Sequence, residues 1–402
     1  MIRNYSRRVV LGLCAVSIAS AGIATTTGVA NAADPDQLDS AVGYLATLQF
    51  ESGGFDAPDG YAGFLTADIA LAIAQAGQSS EPWSEEEALL AVQAVTTNGN
   101  DALDYLDDQA DGVFGALSSG KAAQLVILAS ALGIDPTTFD PQTDGATDLV
   151  TAMDAGAPSF GSIYTAPLGV LANAVLGRAV SLEIRDYIVS QQAPDGSFGD
   201  SPDTTGLAIA ALVAAGGTFA DETILLAVQY LTTVFAPSGG FMFDGVTSAS
   251  STAMARVGLH AAGFDTESSC WRDLADPGLE SEPYASPSSY LVGLHADSGT
   301  IADPSDWDAG YATAQAVQGL SLGFVPQIIA EPVKCDDPDA EETIEDGDGG
   351  VTIDDAVVVV VGGTDLPATG SSNGLLVLVA FVLVSLGALL IAVGGVGRRA
   401  AS

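Results

Sequence analysis

Positive charge is scarce in this chain. Eleven lysines and arginines stand against 51 aspartates and glutamates, a formal net charge of −40. Binding to nucleic acid needs a basic surface that neutralises phosphates, so that class of partner is excluded. Histidine occurs only as His260 and His295, and no Cys-x-x-Cys occurs. A zinc site built on the usual ligands is therefore not expected. His260 falls inside an apolar helical run and reads as a packed core residue. Two long uncharged apolar runs lie at the two ends.

The N-terminal run reads as a secretory signal over residues 1–32. Arg3, Arg7 and Arg8 precede an uncharged apolar stretch from Val9 to Ala24, and Ala30-Asn31-Ala32 has the small-x-small pattern of a cleavage site. At the other end, "LPATG" (Leu366, Pro367, Ala368, Thr369, Gly370) precedes an uncharged stretch from Gly374 to Gly397, then Arg398 and Arg399. That stretch is long enough for a membrane-spanning helix, and the arginines would stay on the cytoplasmic side. The arrangement over 366–402 resembles the LPxTG sorting signal of Gram-positive cell-wall proteins. The resemblance implies a membrane-spanning precursor cut by a sortase between Thr369 and Gly370. Thr369 would then be joined covalently to peptidoglycan. A simple single-pass anchor is the alternative. The exported part would run from about Ala33 to Thr369 and retain two cysteines, Cys270 and Cys335. An even count in an oxidising compartment suggests one disulfide; two free thiols are the alternative.

Between the ends the chain repeats itself. A glycine-aromatic turn recurs in "YLATLQFESGGF" (Tyr44–Phe55), "YLDDQADGVF" (Tyr105–Phe114), "AMDAGAPSF" (Ala152–Phe160), "YIVSQQAPDGSF" (Tyr187–Phe198), "YLTTVFAPSGGF" (Tyr230–Phe241) and "YLVGLHADSGTI" (Tyr290–Ile301). Each turn is followed by an Ala-rich apolar segment ending in glycine. These segments are Ala67–Gly77, Lys121–Gly133, Ala166–Gly177, Thr204–Gly216, Ser250–Gly263 and Tyr311–Gly323. They are too long and too rich in alanine for strands. Apolar on most sides, they predict buried helices. Ser, Thr or Asp near their starts would cap them, and the closing glycines would take left-handed backbone. Each segment before a turn predicts a short amphipathic helix, as at Asp39–Leu48 and Ile224–Val234. The expected fold is all-α, a ring of six helical hairpins over residues 33–325. Each turn Phe would plug a gap between pairs, and Gln191 or Gln192 would bond the turn backbone.

These Gln…Gly-x-Phe units resemble the QW repeats of squalene cyclases, with Phe for Trp. The chain from about Asp34 to Gly323 thus resembles the terpenoid cyclase and protein prenyltransferase α/α toroids. "DTTGLAIAAL" also looks like the vitamin B12-binding toroids. The resemblance implies a fold more than an activity. In class II cyclases a DxDD motif supplies the acid at its third position. The nearest alignment here, Asp200-Ser-Pro-Asp203, puts Pro202 there. Asp203 is expected to cap a helix, and so is the Asp306-Trp307-Asp308 pair. The Asp, Cys, His zinc set of prenyltransferases and the Cys-Gly-Glu-Gln of thioester toroids are missing.

The leading expectation is therefore a non-catalytic surface module binding a small ligand, glycan or protein through Asp203, Asp306, Trp307, Asp308 and Tyr311. A toroid enzyme is the second reading and a structural wall protein the third. Residues 326–365 form an acidic linker. Within it, Asp346, Asp348, Thr352 and Asp355 fall at positions 3, 5, 9 and 12 of an EF-hand-like loop. Ile344 stands where the first ligand belongs, so the loop reads either as a degenerate Ca2+ site or as plain linker. No other cofactor is expected.

Overall fold

The computed structural model describes residues 35–57, 63–78, 83–143, 145–275, 284–322 and 333. The signal-like segment, Cys335, the acidic loop, the LPATG motif and the C-terminal apolar stretch lie outside the described residues. So does the Cys270–Cys335 pairing. No helix among the described residues is long and apolar enough to cross a membrane.

The six Ala-rich segments form helices α2 (Thr66–Ala76), α5 (Ser119–Ala131), α7 (Ala166–Val175), α9 (Pro202–Ala214), α11 (Ala249–Ala261) and α14 (Ala309–Ser321). Almost every residue in them is buried. Small side chains make this burial workable, because helix backbones come close. A Cβ added at Gly206 of α9 would run into the Met254 carbonyl oxygen of α11, and one at Gly258 into Gly206. The contacts among these helices follow a closed succession: α2 meets α5, α5 meets α7, α7 meets α9, α9 meets α11, α11 meets α14, and α14 returns to α2.

The segments before the turns form a second set: α1 (Pro35–Ala46), α4 (Ala102–Ala110), α6 (Leu149–Asp154), α8 (Leu182–Ser190), α10 (Glu222–Thr233) and α13 (Pro287–Gly293). Each buries one stripe, as Ile184 and Ile188 do in α8. Two further helices, α3 (Glu85–Ala94) and α12 (Cys270–Ala275), raise the described helices to fourteen, where the repeat alone predicts twelve. A hairpin of β1 (Phe241–Phe243) and β2 (Val246–Ser248) leads into α11. Both strands are too short and too local to stand out from a turn in sequence.

The turns explain the repeat. Phe55, Phe160, Phe198, Phe241 and Ile301 are fully buried. In four of them the backbone N–H donates to a threonine near the start of the next inner helix: Phe55 to Thr66 at 2.9 Å, Phe198 to Thr205 at 2.9 Å, Phe241 to Thr252 at 2.9 Å and Ile301 to Thr313 at 3.0 Å. Gln192 donates to the Gly196 carbonyl at 3.0 Å and to Thr223 at 2.8 Å. Gln49 repeats this with Gly53 and Val95. Each Gln thus ties its own turn to the next hairpin. Gln191 is exposed and bonds Ser190.

Two expectations need correction. Phe114 does not plug a gap: it is 52% exposed and stacks on Tyr105 with centroids 4.6 Å apart. The closing glycines 133, 177, 216 and 263 do have positive φ, but Gly77 is right-handed at −75°. Its role is space, since a Cβ there would strike Ala91 of α3.

Candidate functional site

Polar residues are rare on the inner helices, and those present sit mostly in the N-terminal halves. Asp68, on α2, is 1% exposed. Its Oδ1 accepts from the Gln124 amide of α5 at 3.0 Å, and Gln124 Oε1 accepts from Lys121 Nζ at 2.9 Å. The order fixes the amide's orientation, because an ammonium only donates. Burial pushes the Asp68 carboxyl up to about 6, against the pull of Lys121 and the Gln124 bond. Burial likewise pulls Lys121 down to about 8, with Asp68 opposing.

Asp203 lies on α9. Helix α9 has Ser201 at its N-cap, with no side-chain cap bond, and Pro202 opens the helix. Asp203 is therefore not the cap expected from sequence. Its Oδ1 accepts from the Ser251 hydroxyl of α11, and burial raises its pKa. Asp306 does not cap the helix that follows it either. It accepts from the Ser248 hydroxyl at 2.6 Å and the Ala249 N–H at 3.2 Å, holding the start of neighbouring α11. Asp308 is the N-cap of α14 and accepts from the Tyr311 N–H at 2.7 Å. Trp307 is 52% exposed and meets Phe64 and Tyr311 edge-on, at 6.1 and 6.0 Å.

Tyr311 brings these pieces together. Its ring is buried, and its pKa is raised well above the usual value by burial, then by the charges of Asp68 and Asp203. Those two belong to α2 and α9, so Tyr311 lies within electrostatic reach of carboxyls on two other inner helices. The Gln315 amide lies beside the Tyr311 hydroxyl and draws its pKa down against burial, and neither side chain has another polar partner. Asp68 Oδ2, Thr204 Oγ1 and Gln318 Oε1 are also buried without a partner. Gln318 spends its Nε2 on the Asp68 carbonyl at 3.1 Å, which fixes that amide too.

Of the expected residues, Asp203, Asp306 and Tyr311 come within electrostatic reach of one another. Trp307 is half-exposed beside Tyr311, and Asp308 is structural. Sequence reasoning missed Asp68, Lys121, Gln124, Thr204, Gln315 and Gln318. The available signal was a polar residue in a helix otherwise apolar on all sides, as in "TADIALAIAQA". Among the described residues no group of three His, Cys, Asp or Glu could hold a metal ion.

The pair Asp68–Lys121 makes stability depend on pH with a definite sign. A carboxyl whose folded pKa is raised contributes stability that is present below its unfolded value, near 4, and lost as pH rises through about 6. Lys121, lowered, behaves oppositely: its contribution is lost as pH falls through about 8. Asp68→Asn removes the first dependence. The difference in urea midpoint, wild type minus variant, is expected to grow as pH falls from 7 to 5. A constant difference would show that Asp68 is not held neutral by burial.

No protein-family model matches the chain, and no curated protein matches it in sequence. Among solved structures it is similar to the type II terpene cyclase MstE from Scytonema in its apo form. Identity is 16% and the TM-score 0.49, over 72% of this chain and 98% of that one. A variant of MstE in complex with geranylgeranyl dihydroxybenzoate matches at 16% identity and TM-score 0.46, over 72% and 96%. A protein from Actinoplanes matches at 15% and 0.47, over 72% and 99%. Likeness at this level carries neither substrate nor chemistry across.

Proposed function

We propose that this chain is an α/α toroid that binds a small ligand at the polar centre of its inner helices, displayed on a Gram-positive cell surface. The closed succession of inner-helix contacts supports the toroid. The observation that carries the binding reading is the set of buried polar atoms left without partners on α2, α9 and α14. Each unmet buried polar group costs about 1–3 kcal/mol, and buried polar groups are normally satisfied by protein, water or ligand. A structural ring would close its centre with apolar side chains instead.

Native mass spectrometry tests this. The protein is incubated with a low-molecular-weight extract of Gram-positive cells and then desalted. A discrete retained mass is expected, and it should be lost in Gln315→Leu, whose amide has no polar neighbour other than the Tyr311 hydroxyl. If wild type retains nothing, the binding reading fails.

Acid catalysis is the second reading, favoured by two buried carboxyls, Asp68 and Asp203, whose pKa values are raised. A neutral carboxylic acid there would protonate an alkene, and loss of a proton from the resulting cation would give an isomer of unchanged mass. Pro202 opens α9 where the terpenoid cyclase motif would place its acid, which counts against this reading. Incubation with geranylgeranyl dihydroxybenzoate is the direct test: a product isomer, absent in Asp203→Asn, would displace the binding reading.

The surface location rests on the Leu366–Gly370 motif and the uncharged stretch after it. Thr369→Ala in a sortase-positive host is expected to shift the protein from the wall fraction to membrane or medium. Unchanged wall attachment would remove the sortase step.

A further inference from the structure

The hydrogen-bonding account of the centre indicates what kind of molecule it would hold, resting on the binding reading above. Within the inner helices, among the described residues, the buried side-chain atoms without a partner are Asp68 Oδ2, Thr204 Oγ1, the Tyr311 hydroxyl, Gln315 Oε1 and Nε2, and Gln318 Oε1. Five are oxygens, and three of those, the carboxylate and two amide oxygens, act only as acceptors when Asp68 is ionised. Only Gln315 Nε2 is an obligate donor. All five side chains are more than nine-tenths buried. A molecule that meets this set must bring donors.

Charge points the same way. Asp68, Asp203 and Asp306 all act on Tyr311, from α2, α9 and the segment before α14. The single ammonium nearby, Lys121, already spends a donor on Gln124 and is paired through it with Asp68. Arg256 of α11, the other buried cation of the inner helices, is spent on Glu267 and the Gly319 carbonyl, so three carboxylates stand against two cations that already have partners. At the rim, the exposed Trp307 ring stands edge-on to Tyr311, and an aromatic face attracts a passing cation.

We propose that the toroid centre takes a primary alkylammonium compound, its N–H groups donating to Asp68 Oδ2 and the oxygens of Gln315 and Gln318. A neutral polyol would leave the carboxylates unneutralised, and an anion would meet three of them.

Isothermal titration calorimetry of the full-length protein at pH 7.5 tests this with butylamine, 1-butanol and butyrate, three probes of similar size and different charge. Butylamine is expected to bind while the other two do not. Asp68→Asn and Gln318→Leu should each weaken butylamine binding by roughly tenfold or more, as the loss of one charged or neutral hydrogen bond predicts. Asp186→Asn, an exposed site on α8, should leave it unchanged. Circular dichroism checks that each variant folds, and Gln318→Leu leaves all charges in place should Asp68→Asn fail to fold.

Binding of butanol or butyrate with the amine silent overturns the cation assignment and leaves a ligand site standing. Silence of all three, with a mass other than an amine retained in native mass spectrometry, overturns it in the same way. Silence of all three with no retained mass overturns both readings. Butylamine binding unaffected by either centre variant places the amine elsewhere and overturns the assignment.

Discussion

Arg256→Met is expected to lower the unfolding free energy by about 3–5 kcal/mol, the usual cost of removing one partner of a buried ion pair. Arg256 is 3% exposed on α11, and its guanidinium meets Glu267 Oε1 at 2.9 Å. It also donates to the Gly319 carbonyl of α14, tying two inner helices together. Glu267 accepts from the Ser288 hydroxyl of α13. Burial raises the Glu267 pKa, but the serine bonds and Arg256 outweigh it and the net shift is downward. Its contribution is therefore present above the unfolded pKa and lost as pH falls through the lower folded value.

Without the arginine, Glu267 is left as a poorly compensated carboxylate. The double variant Arg256→Met/Glu267→Met should recover much of the loss, because both charges then leave together. Urea unfolding at constant slope is the measurement. If the double variant is as unstable as the sum of the two singles, the pair is not coupled and the Gly319 bond carries the effect.

Phe198→Ala is expected to cost about 3–5 kcal/mol, as for a fully buried aromatic, whereas Phe114→Ala should cost only about 0.5–1.5 kcal/mol from its stack on Tyr105. The two residues occupy the same place in the repeat. Phe198 is fully buried, with its N–H on Thr205, while Phe114 has half its surface in water. Equal losses in the two unfolding midpoints would mean that the aromatic turns do not differ in solution as they do in the fold.

The inner helices were legible because their signal is local. Alanine-rich runs of uniform apolarity have one good solution, a buried helix, and Ser118, Ser248 and Asp308 cap three of them from the side chain. The turns were legible for the same reason: Gln192, Gly196 and Phe198 form one short motif whose bonds mostly stay within it. Helices α3 and α12 were not, since they lie outside the repeated unit.

The site divides differently. Sequence alone determined the repeat, the helical class and the acidic balance, because each is read from composition or from residues a few positions apart. The buried polar cluster of the inner helices was decided only by tertiary structure. Asp68 and Gln318 stand 250 residues apart, yet Gln318 donates to the Asp68 carbonyl. Asp203 looked like a cap, and only the approach of α11, with Ser251, turned it into a buried hydrogen-bonded carboxyl. The packing of α14 on α2 brings distant parts of the sequence together, and burial then gives carboxyls and amides properties that no neighbour in sequence supplies.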